Sequence, residues 1–205
     1  MSRGTLYIVT APSGCGKGTI LAHSIEKHGF NFSVSATTRK PRDGEKDGVN
    51  YFFKTREEFD QMISENAFLE YAEFCGNCYG TPRAYVEGLL EEGKDVILEI
   101  EVQGAMNVIK MIPEAVSIFI LPPSVNELRR RLLKRATEDI EVVEQRVLQA
   151  KNEIPYAKFF DYVIVNDDLE DALRDFDACV MAARFSGKSH KNEIENKILE
   201  VLENE

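Results

Sequence analysis

The chain opens with a short apolar strand that runs directly into a glycine-rich turn and then into a helix. Residues 5–10 (TLYIVT) are β-branched and aromatic, and the turn at 11–16 contains two glycines. Lys17–His28 has the pattern of a helix that ends at Gly29. This order places successive backbone N–H groups at the positive end of a helix, where an anion binds. The segment therefore predicts a phosphate-binding loop at the end of a buried strand.

Further apolar runs indicate a parallel sheet. They occupy residues 95–100, Val116–Leu121 and Tyr162–Val165. Helical patterns separate them, at 103–112, 126–134, 138–157 and 169–185. Strands that alternate with helices build right-handed β-α-β units. We therefore predict an α/β fold with a parallel sheet flanked by helices.

Residues 35–93 interrupt this alternation. Short strand patterns at 50–53 and Phe68–Phe74 are mixed with helical patterns at 55–66 and 82–92. Thr55 and Glu58 have the spacing of a capping box at the start of a helix. We predict an inserted α+β lobe here, and a final amphipathic helix over 192–205.

Length and charge narrow the possible functions. The chain has 205 residues and a net charge of −10, from 25 basic and 35 acidic residues. This length suits one domain, and the acidic surface argues against a general nucleic-acid or anionic-membrane binder. No apolar run approaches the roughly 20 residues of a membrane helix, and residues 1–4 do not begin a signal peptide. We expect a cytoplasmic protein that binds neither nucleic acid nor membrane.

The predicted phosphate loop consists of nine consecutive residues, namely Ala11, Pro12, Ser13, Gly14, Cys15, Gly16, Lys17, Gly18 and Thr19. Lys17 would supply a point charge for the β- and γ-phosphates of a nucleotide. Gly18 stands where a metal-facing hydroxyl is usual, as in the similar loop of adenylate kinases. Thr19 is therefore the nearest hydroxyl for a Mg²⁺ ion bound with the ATP phosphates and water.

A second basic group lies in the predicted lobe. Arg39 and Arg42 flank Pro41, and Tyr51 follows nearby. Two guanidinium forks and a phenol hydroxyl can clamp a phosphate. From local pattern alone, a solvated run of charges is an equally good interpretation.

Together these segments resemble the guanylate kinases of the bacterial type. The resemblance covers nearly the whole chain and is carried by APSGCGKGT at 11–19, SVSATTRKPRDGE at 33–45, NYFF at 50–53, FLEYAEFCGNCYGTPR at 68–83, ILEIEVQGA at 97–105, IFILPPS at 118–124 and VIVNDDL at 163–169. It implies a P-loop NTPase-type core (1–34, 94–134 and 158–205), a GMP-binding lobe (35–93) and a helical lid (135–157).

The resemblance also implies an activity and its residues. The γ-phosphoryl group of ATP would pass to GMP or dGMP, giving ADP and GDP in purine nucleotide metabolism and GMP recycling. The implied catalytic residues are Lys17, Arg39, Arg135 and Arg146, and the implied GMP pocket comprises Ser35, Arg39, Arg42, Tyr51, Glu70, Tyr79, Thr81 and Glu101. Glu101 stands where the family commonly has Asp. Arg129, Arg130 and Lys134 are predicted to be solvated helix charges.

The chemistry of guanine agrees with this pocket. Guanine presents N1–H and N2–H₂ as adjacent donors, and a carboxylate such as Glu70 accepts both. Adenine has an acceptor at N1, so the same carboxylate would be left unpaired and would reject it. By local pattern alone, Glu70 is better explained as an exposed strand carboxylate.

Two other functions stay open at this point. One is an inactive protein-binding module of the guanylate-kinase-like type, which the intact Gly16, Lys17, Arg39 and Arg42 disfavour. The other is a kinase for AMP or dTMP, which Ser35, Glu70 and Thr81 disfavour. Either a monomer or a homodimer is compatible with the sequence.

Overall fold

The computed structural model describes residues 3–74, 76–134 and 139–188, together with 194, 197, 198 and 201. Its strands are β1 (Leu6–Thr10), β2 (Asn31–Phe32), β3 (Ala36–Thr37), β4 (Phe52–Phe53), β5 (Phe68–Phe74), β6 (Asn77–Pro82), β7 (Val96–Glu99), β8 (Val116–Leu121) and β9 (Tyr162–Val165). Its helices are α1 (Lys17–His28), α2 (Arg56–Ser64), α3 (Arg83–Glu91), α4 (Val102–Met111), α5 (Val125–Lys134), α6 (Ile140–Glu153) and α7 (Leu169–Ala183).

The main sheet is parallel throughout and has the order β2-β7-β1-β8-β9. β1 lies between β7 and β8, with Val9 opposite both Glu99 and Ile118. The carboxyl ends of β1 and β7 therefore meet at one edge of the sheet. In open α/β sheets, ligands bind at this edge.

Side chains alternate between the two faces of the main sheet, so each face has its own apolar core. On one face, Tyr7 and Val9 pack with Leu128 of α5, Val147 of α6 and Phe176 of α7. On the other face, Leu6 and Ile8 pack with residues of α3, α4 and the 3₁₀ turn Ile154–Phe159. The parallel α/β prediction is confirmed.

A second sheet, of order β4-β3-β6-β5, forms the lobe inserted after β2. Its small core contains Ala36, Phe59, Phe68 and Cys78, and Phe59 stacks on Phe68 with ring centroids 4.5 Å apart. The capping box predicted for Thr55 and Glu58 is present at the start of α2. Strand β6 was not predicted, because Gly80 and Pro82 resemble turn residues.

One predicted helix is shorter in the structure, and another is present but packs against the main sheet. The pattern over 138–157 ends as α6 at Glu153 and continues as a 3₁₀ turn, because Pro155 cannot donate a helical hydrogen bond. The pattern over 82–92 forms α3, whose Val86 and Leu90 belong to the core of the main sheet. Most of the helix predicted over 192–205 lies outside the described residues.

Within the described part of the chain, no helix has both the length and the apolar character needed to cross a membrane.

The capping box gives a stability test for the lobe. The Thr55 hydroxyl accepts from the Glu58 N–H at 3.1 Å, and the Glu58 carboxylate accepts from the Thr55 N–H at 2.7 Å. We expect Thr55→Ala to lower the free energy of unfolding by about 1 kcal/mol, because the Glu58 N–H loses the hydroxyl that caps it. Urea titration measures this, and an unchanged midpoint would contradict it.

Candidate functional site

The loop between β1 and α1 has the backbone geometry of an anion cradle. Gly14 and Gly16 adopt φ values of +91° and +85°. Both positions require glycine, since a Cβ on Gly14 would lie 2.8 Å from Leu132 Cδ2 and one on Gly16 would overlap the Asn166 amide. Burial raises the pKa of the Cys15 thiol to about 12, so Cys15 adds no negative charge to the loop.

The start of α1 leaves its backbone donors unpaired. Gly16 is the N-cap residue, no side chain caps the helix, and the first turn has no acidic residue. Among the described residues, no acceptor bonds the N–H groups of Gly14, Gly16, Lys17 or Gly18. Unpaired donors at the positive end of a helix bind phosphate oxygens. All nine residues of the predicted loop are brought together here.

Charged side chains surround this loop. Lys17 Nζ lies 3.5 Å from Glu99 Oε1, at the end of the neighbouring strand β7. On α6, Arg146 Nη1 donates to Ser13 Oγ at 3.1 Å. The structure thus brings Arg146 to the loop, as predicted, whereas Arg135 lies outside the described residues.

A cavity of about 380 Å³ adjoins the loop and is lined by Gly14, Gly16, Arg131 and Lys134. Arg131 was not predicted as a site residue, and Lys134 was predicted to be only a solvated charge. The guanidinium of Arg131 is held by Glu127 Oε1 at 2.8 Å and by the carbonyl of Asn166 at 2.8 Å. Hydrogen bonds from Arg130 and Arg131 lower the pKa of Glu127 to about 2.

The other arginines of α5 match the prediction of surface charges. Arg129 pairs with Glu144 at 2.5 Å, and Arg130 pairs with Glu127 at 2.7 Å. Exposed pairs of this kind contribute little to stability.

The lobe holds a second group of cations. Both Glu45 carboxylate oxygens accept from Arg39 Nη2, at 2.9 and 3.0 Å, and the Arg42 N–H donates to Glu45 Oε2 at 2.7 Å. Hydrogen bonding to Arg39 and Arg42 holds the pKa of Glu45 below its usual value. Glu45 was not predicted as a site residue, although it orients the Arg39 guanidinium and fixes the backbone of Arg42.

Two tyrosines complete this group. The Arg39 guanidinium lies 5.3 Å from the centre of the Tyr51 ring, and the Tyr51 and Tyr79 rings are 6.1 Å apart. Three of the four residues predicted to hold a phosphate, Arg39, Tyr51 and Tyr79, thus have neighbouring side chains, and the backbone of Arg42 is joined to them through Glu45. The exposed Arg42 guanidinium makes no hydrogen bond among the described residues, so it is available to an anion.

Glu70 lies on β5 opposite Thr81 of β6, and it is partly buried instead of exposed. The Thr81 hydroxyl donates to Glu70 Oε1 at 2.7 Å. Burial raises the pKa of Glu70, the Thr81 hydrogen bond opposes this, and the charge of Glu101 adds to it. Gly104 of α4 makes room for the carboxylate, because a Cβ there would lie 2.8 Å from Glu70 Oε2.

Glu101 connects the two halves of the site. It precedes α4 at the carboxyl end of β7. Burial is the main cause that raises the pKa of both Glu70 and Glu153, and the negative charge of Glu101 raises both further. Lys17 acts on Glu153 in the opposite direction. Ser35 makes its one hydrogen bond to the described part of the chain through its backbone, whose carbonyl accepts from the Phe52 N–H at 2.9 Å.

The donors near the loop suit a Mg²⁺ ion held mainly by a nucleotide. Thr19 is exposed on the first turn of α1, and Glu99 and Glu101 provide hard carboxylate oxygens at the end of β7. The described residues contain no cluster of three metal-ligating side chains. Mg²⁺ usually keeps several waters and takes only one or two protein ligands beside substrate phosphates, so this sparse set fits it.

Comparison with known proteins agrees with this geometry. The family model described as guanylate kinase matches residues 3–183. A guanylate kinase of Thermus thermophilus is 52% identical over 89% of this chain and 83% of its own length. One of Clostridium perfringens is 48% identical over 100% of this chain and 93% of its own length. A crystal structure of guanylate kinase from Anaplasma phagocytophilum has a TM-score of 0.70 at 35% identity, covering 95% of this chain and 94% of that one.

The buried carboxylate of Glu70 gives a prediction for stability against pH. Because its pKa is raised in the folded protein, ionisation of Glu70 destabilises the fold above that pKa. We expect Glu70→Gln to be more stable than the wild type at pH 7 in urea titrations. The difference should vanish below the ordinary carboxyl pKa of 4.5, where both folded and unfolded chains are protonated.

The matched control is Glu73→Gln on the same strand. The Glu73 side chain is 58% exposed, so its removal should leave stability nearly unchanged at both pH values. A gain in stability from Glu70→Gln that persisted at pH 4 would contradict the assignment to ionisation.

Proposed function

The chain belongs to the guanylate kinase family, and we propose how its residues divide the work of that enzyme. It phosphorylates GMP at the expense of ATP. Two alternatives are excluded, namely an inactive protein-binding module and a kinase for AMP or dTMP, because curated guanylate kinases match at 48 to 52% identity over most of the chain. We extend the acceptor to dGMP, because none of the proposed base contacts touches the ribose.

The loop at 11–19 would hold the phosphates of ATP. The four unpaired N–H groups of the loop and α1 are the observation that carries this assignment. Lys17 would exchange Glu99 for the β- and γ-phosphates, and Arg146 would reach the same group from α6. The adenosine would occupy the cavity lined by Arg131 and Lys134.

The lobe would hold GMP. Arg39, Arg42, Tyr51 and Tyr79 would bind its phosphate, with Glu45 holding the Arg39 guanidinium and the Arg42 backbone. Ser35, Glu70 and Thr81 would read the base, since the Glu70 carboxylate accepts from the guanine N1–H and N2–H₂. Thr81 occupies one lone pair of Glu70, which fixes the orientation of the carboxylate.

Phosphoryl transfer requires alignment and neutralisation of charge more than covalent catalysis. An oxygen of the GMP phosphate attacks the γ-phosphorus of ATP. The bond to the bridging oxygen breaks, and its electron pair leaves with ADP. The attacking oxygen is already anionic near neutral pH, so no general base is needed. Lys17, Arg39, Arg146 and Arg135 would offset the charge of the transferring group.

Bound Mg²⁺ would supply charge neutralisation on the ATP phosphates, with Thr19 as the nearest hydroxyl. Glu101 would contact GMP or the water shell of the ion. Within the lobe (35–93) and the lid (135–157) that the resemblance implies, α3 and α6 already pack on the main sheet of the core 1–34, 94–134 and 158–205. We therefore propose that the lobe sheet of β3 to β6 is the part that moves toward this core, excluding water from the reaction. The enzyme would act in the cytoplasm as a monomer or homodimer, without nucleic acid or membrane.

The role of Lys17 is tested by Lys17→Ala. Loss of a charge aimed at the transferring group should lower kcat by about 10² to 10³, while circular dichroism remains unchanged. ADP production with GMP as acceptor measures this. The control is Lys27→Ala at the other end of α1, where Lys27 pairs with Asp177 at 2.5 Å; it should turn over like the wild type. Equal kcat in the Lys17 variant would remove Lys17 from the mechanism.

The role of Glu70 in reading the base is tested by Glu70→Gln. An amide nitrogen placed against the guanine donors should lower kcat/KM for GMP by about a hundredfold. The KM for ATP should not change, and AMP should stay a poor acceptor. Glu73→Gln serves as the control here too. Discrimination for GMP that survived in the Glu70 variant would show that the base is read by other residues.

A further inference from the structure

Asn166 lies at the end of β9, where no predicted site residue lies, yet it contacts the phosphate loop. It is only 5% exposed. Its Nδ2 donates to the carbonyl oxygen of Cys15 at 2.7 Å, across 151 positions of sequence. The amide group of the side chain therefore donates to a loop carbonyl, and this hydrogen bond is not part of a helix or a sheet.

The backbone of Asn166 is equally fixed. Its N–H donates to the carbonyl of Leu121 at the end of β8, at 2.8 Å. Its carbonyl accepts from Arg131 Nη1 at 2.8 Å. Asn166 is thus anchored to the main sheet and to α5, so its side chain can hold the loop against a rigid support.

The hydrogen bond to Cys15 determines which way the next N–H group points. The described peptide bonds are all trans, and in a planar trans peptide the C=O and N–H bonds point in opposite directions. Because the Cys15 carbonyl faces Asn166, the Gly16 N–H faces away from it. That N–H is one of the donors without an acceptor among the described residues.

We propose that Asn166 is a positioning residue for ATP, acting by fixing the Cys15–Gly16 peptide with the Gly16 N–H toward the phosphates. This rests on the proposed role of the loop at 11–19. A flipped peptide would direct the Cys15 carbonyl oxygen at the phosphate, where like charges repel. Gly16 fits this arrangement, because any Cβ there would overlap Asn166 Nδ2.

The test compares three purified proteins by calorimetric titration with ADP and, separately, with GMP. Asn166→Ala removes the donor, so we expect the affinity for ADP to fall about tenfold while that for GMP stays within about twofold. The control is Asp168→Ala, two residues on, which removes the N-cap of α7 without touching the loop. It should lower thermal stability but leave the affinity for ADP unchanged.

Asn166→Asp tests the positioning role through the pH dependence of ADP affinity, which a purely structural role of Asn166 would not change. The substitution is nearly isosteric, so it keeps the fold even if the alanine variant does not fold. An ionised carboxylate repels the Cys15 carbonyl, whereas a protonated one donates to it. We expect this variant to bind ADP more weakly than wild type at pH 8. The deficit relative to wild type at the same pH should shrink as pH falls to about 5.

The outcomes distinguish a failure of the proposed function from a failure of the positioning role of Asn166. If the wild type neither binds ADP nor phosphorylates GMP, the proposed function itself is wrong. If the wild type is active and Asn166→Ala binds ADP equally well, only the positioning role is overturned. Equal losses of ADP and GMP affinity, or a deficit of Asn166→Asp that does not change with pH, would also overturn it. In the supporting case, the Gly16 amide resonance shifts less at saturating ADP in Asn166→Ala than in wild type.

Discussion

The arrangement of this protein follows from the need to keep backbone N–H groups unpaired in a folded chain. Buried or clustered donors without acceptors are costly, so a fold that retains them must support them from outside. Here the support comes from β1 and from Asn166, while two glycines with positive φ supply the curvature. The parallel sheet matters because it delivers the loop, Glu99 and Asn166 to the same edge from distant parts of the sequence.

Acidic residues are as important to the site as the cations. Lys17 faces Glu99, Arg39 meets Glu45, and Arg131 meets Glu127. Each carboxylate neutralises and orients a cation before any substrate arrives. A protein of net charge −10 can in this way keep two separate groups of oriented cations. Under the proposed function, a cation that is already held in place needs little further ordering when a phosphate replaces its carboxylate partner.

Much of this architecture could be predicted from local sequence. The bounds of α1, β8 and β9 match the prediction residue for residue, because apolar runs and glycine stops are local signals. Strand β6 was missed because its pairing with β3 and β5 overrides the turn character of its residues. Asn166 and Arg131 were missed because their roles lie in contacts across 151 and 35 positions. Glu45 sits within a recognised motif, but only its contact with Arg39 reveals what it does.

The fit between Gly104 and Glu70 also restricts how this sequence can diverge. A glycine inside α4 costs roughly 1 kcal/mol of helix stability relative to alanine, so drift would favour its replacement. With Glu70 present, the new Cβ would lie 2.8 Å from its carboxylate, so the end of that side chain would have to move. Alanine at 104 would therefore stabilise α4 and at the same time displace the Glu70 carboxylate. A shorter residue at 70 would remove this conflict, so the residue tolerated at one of the two positions depends on the residue at the other.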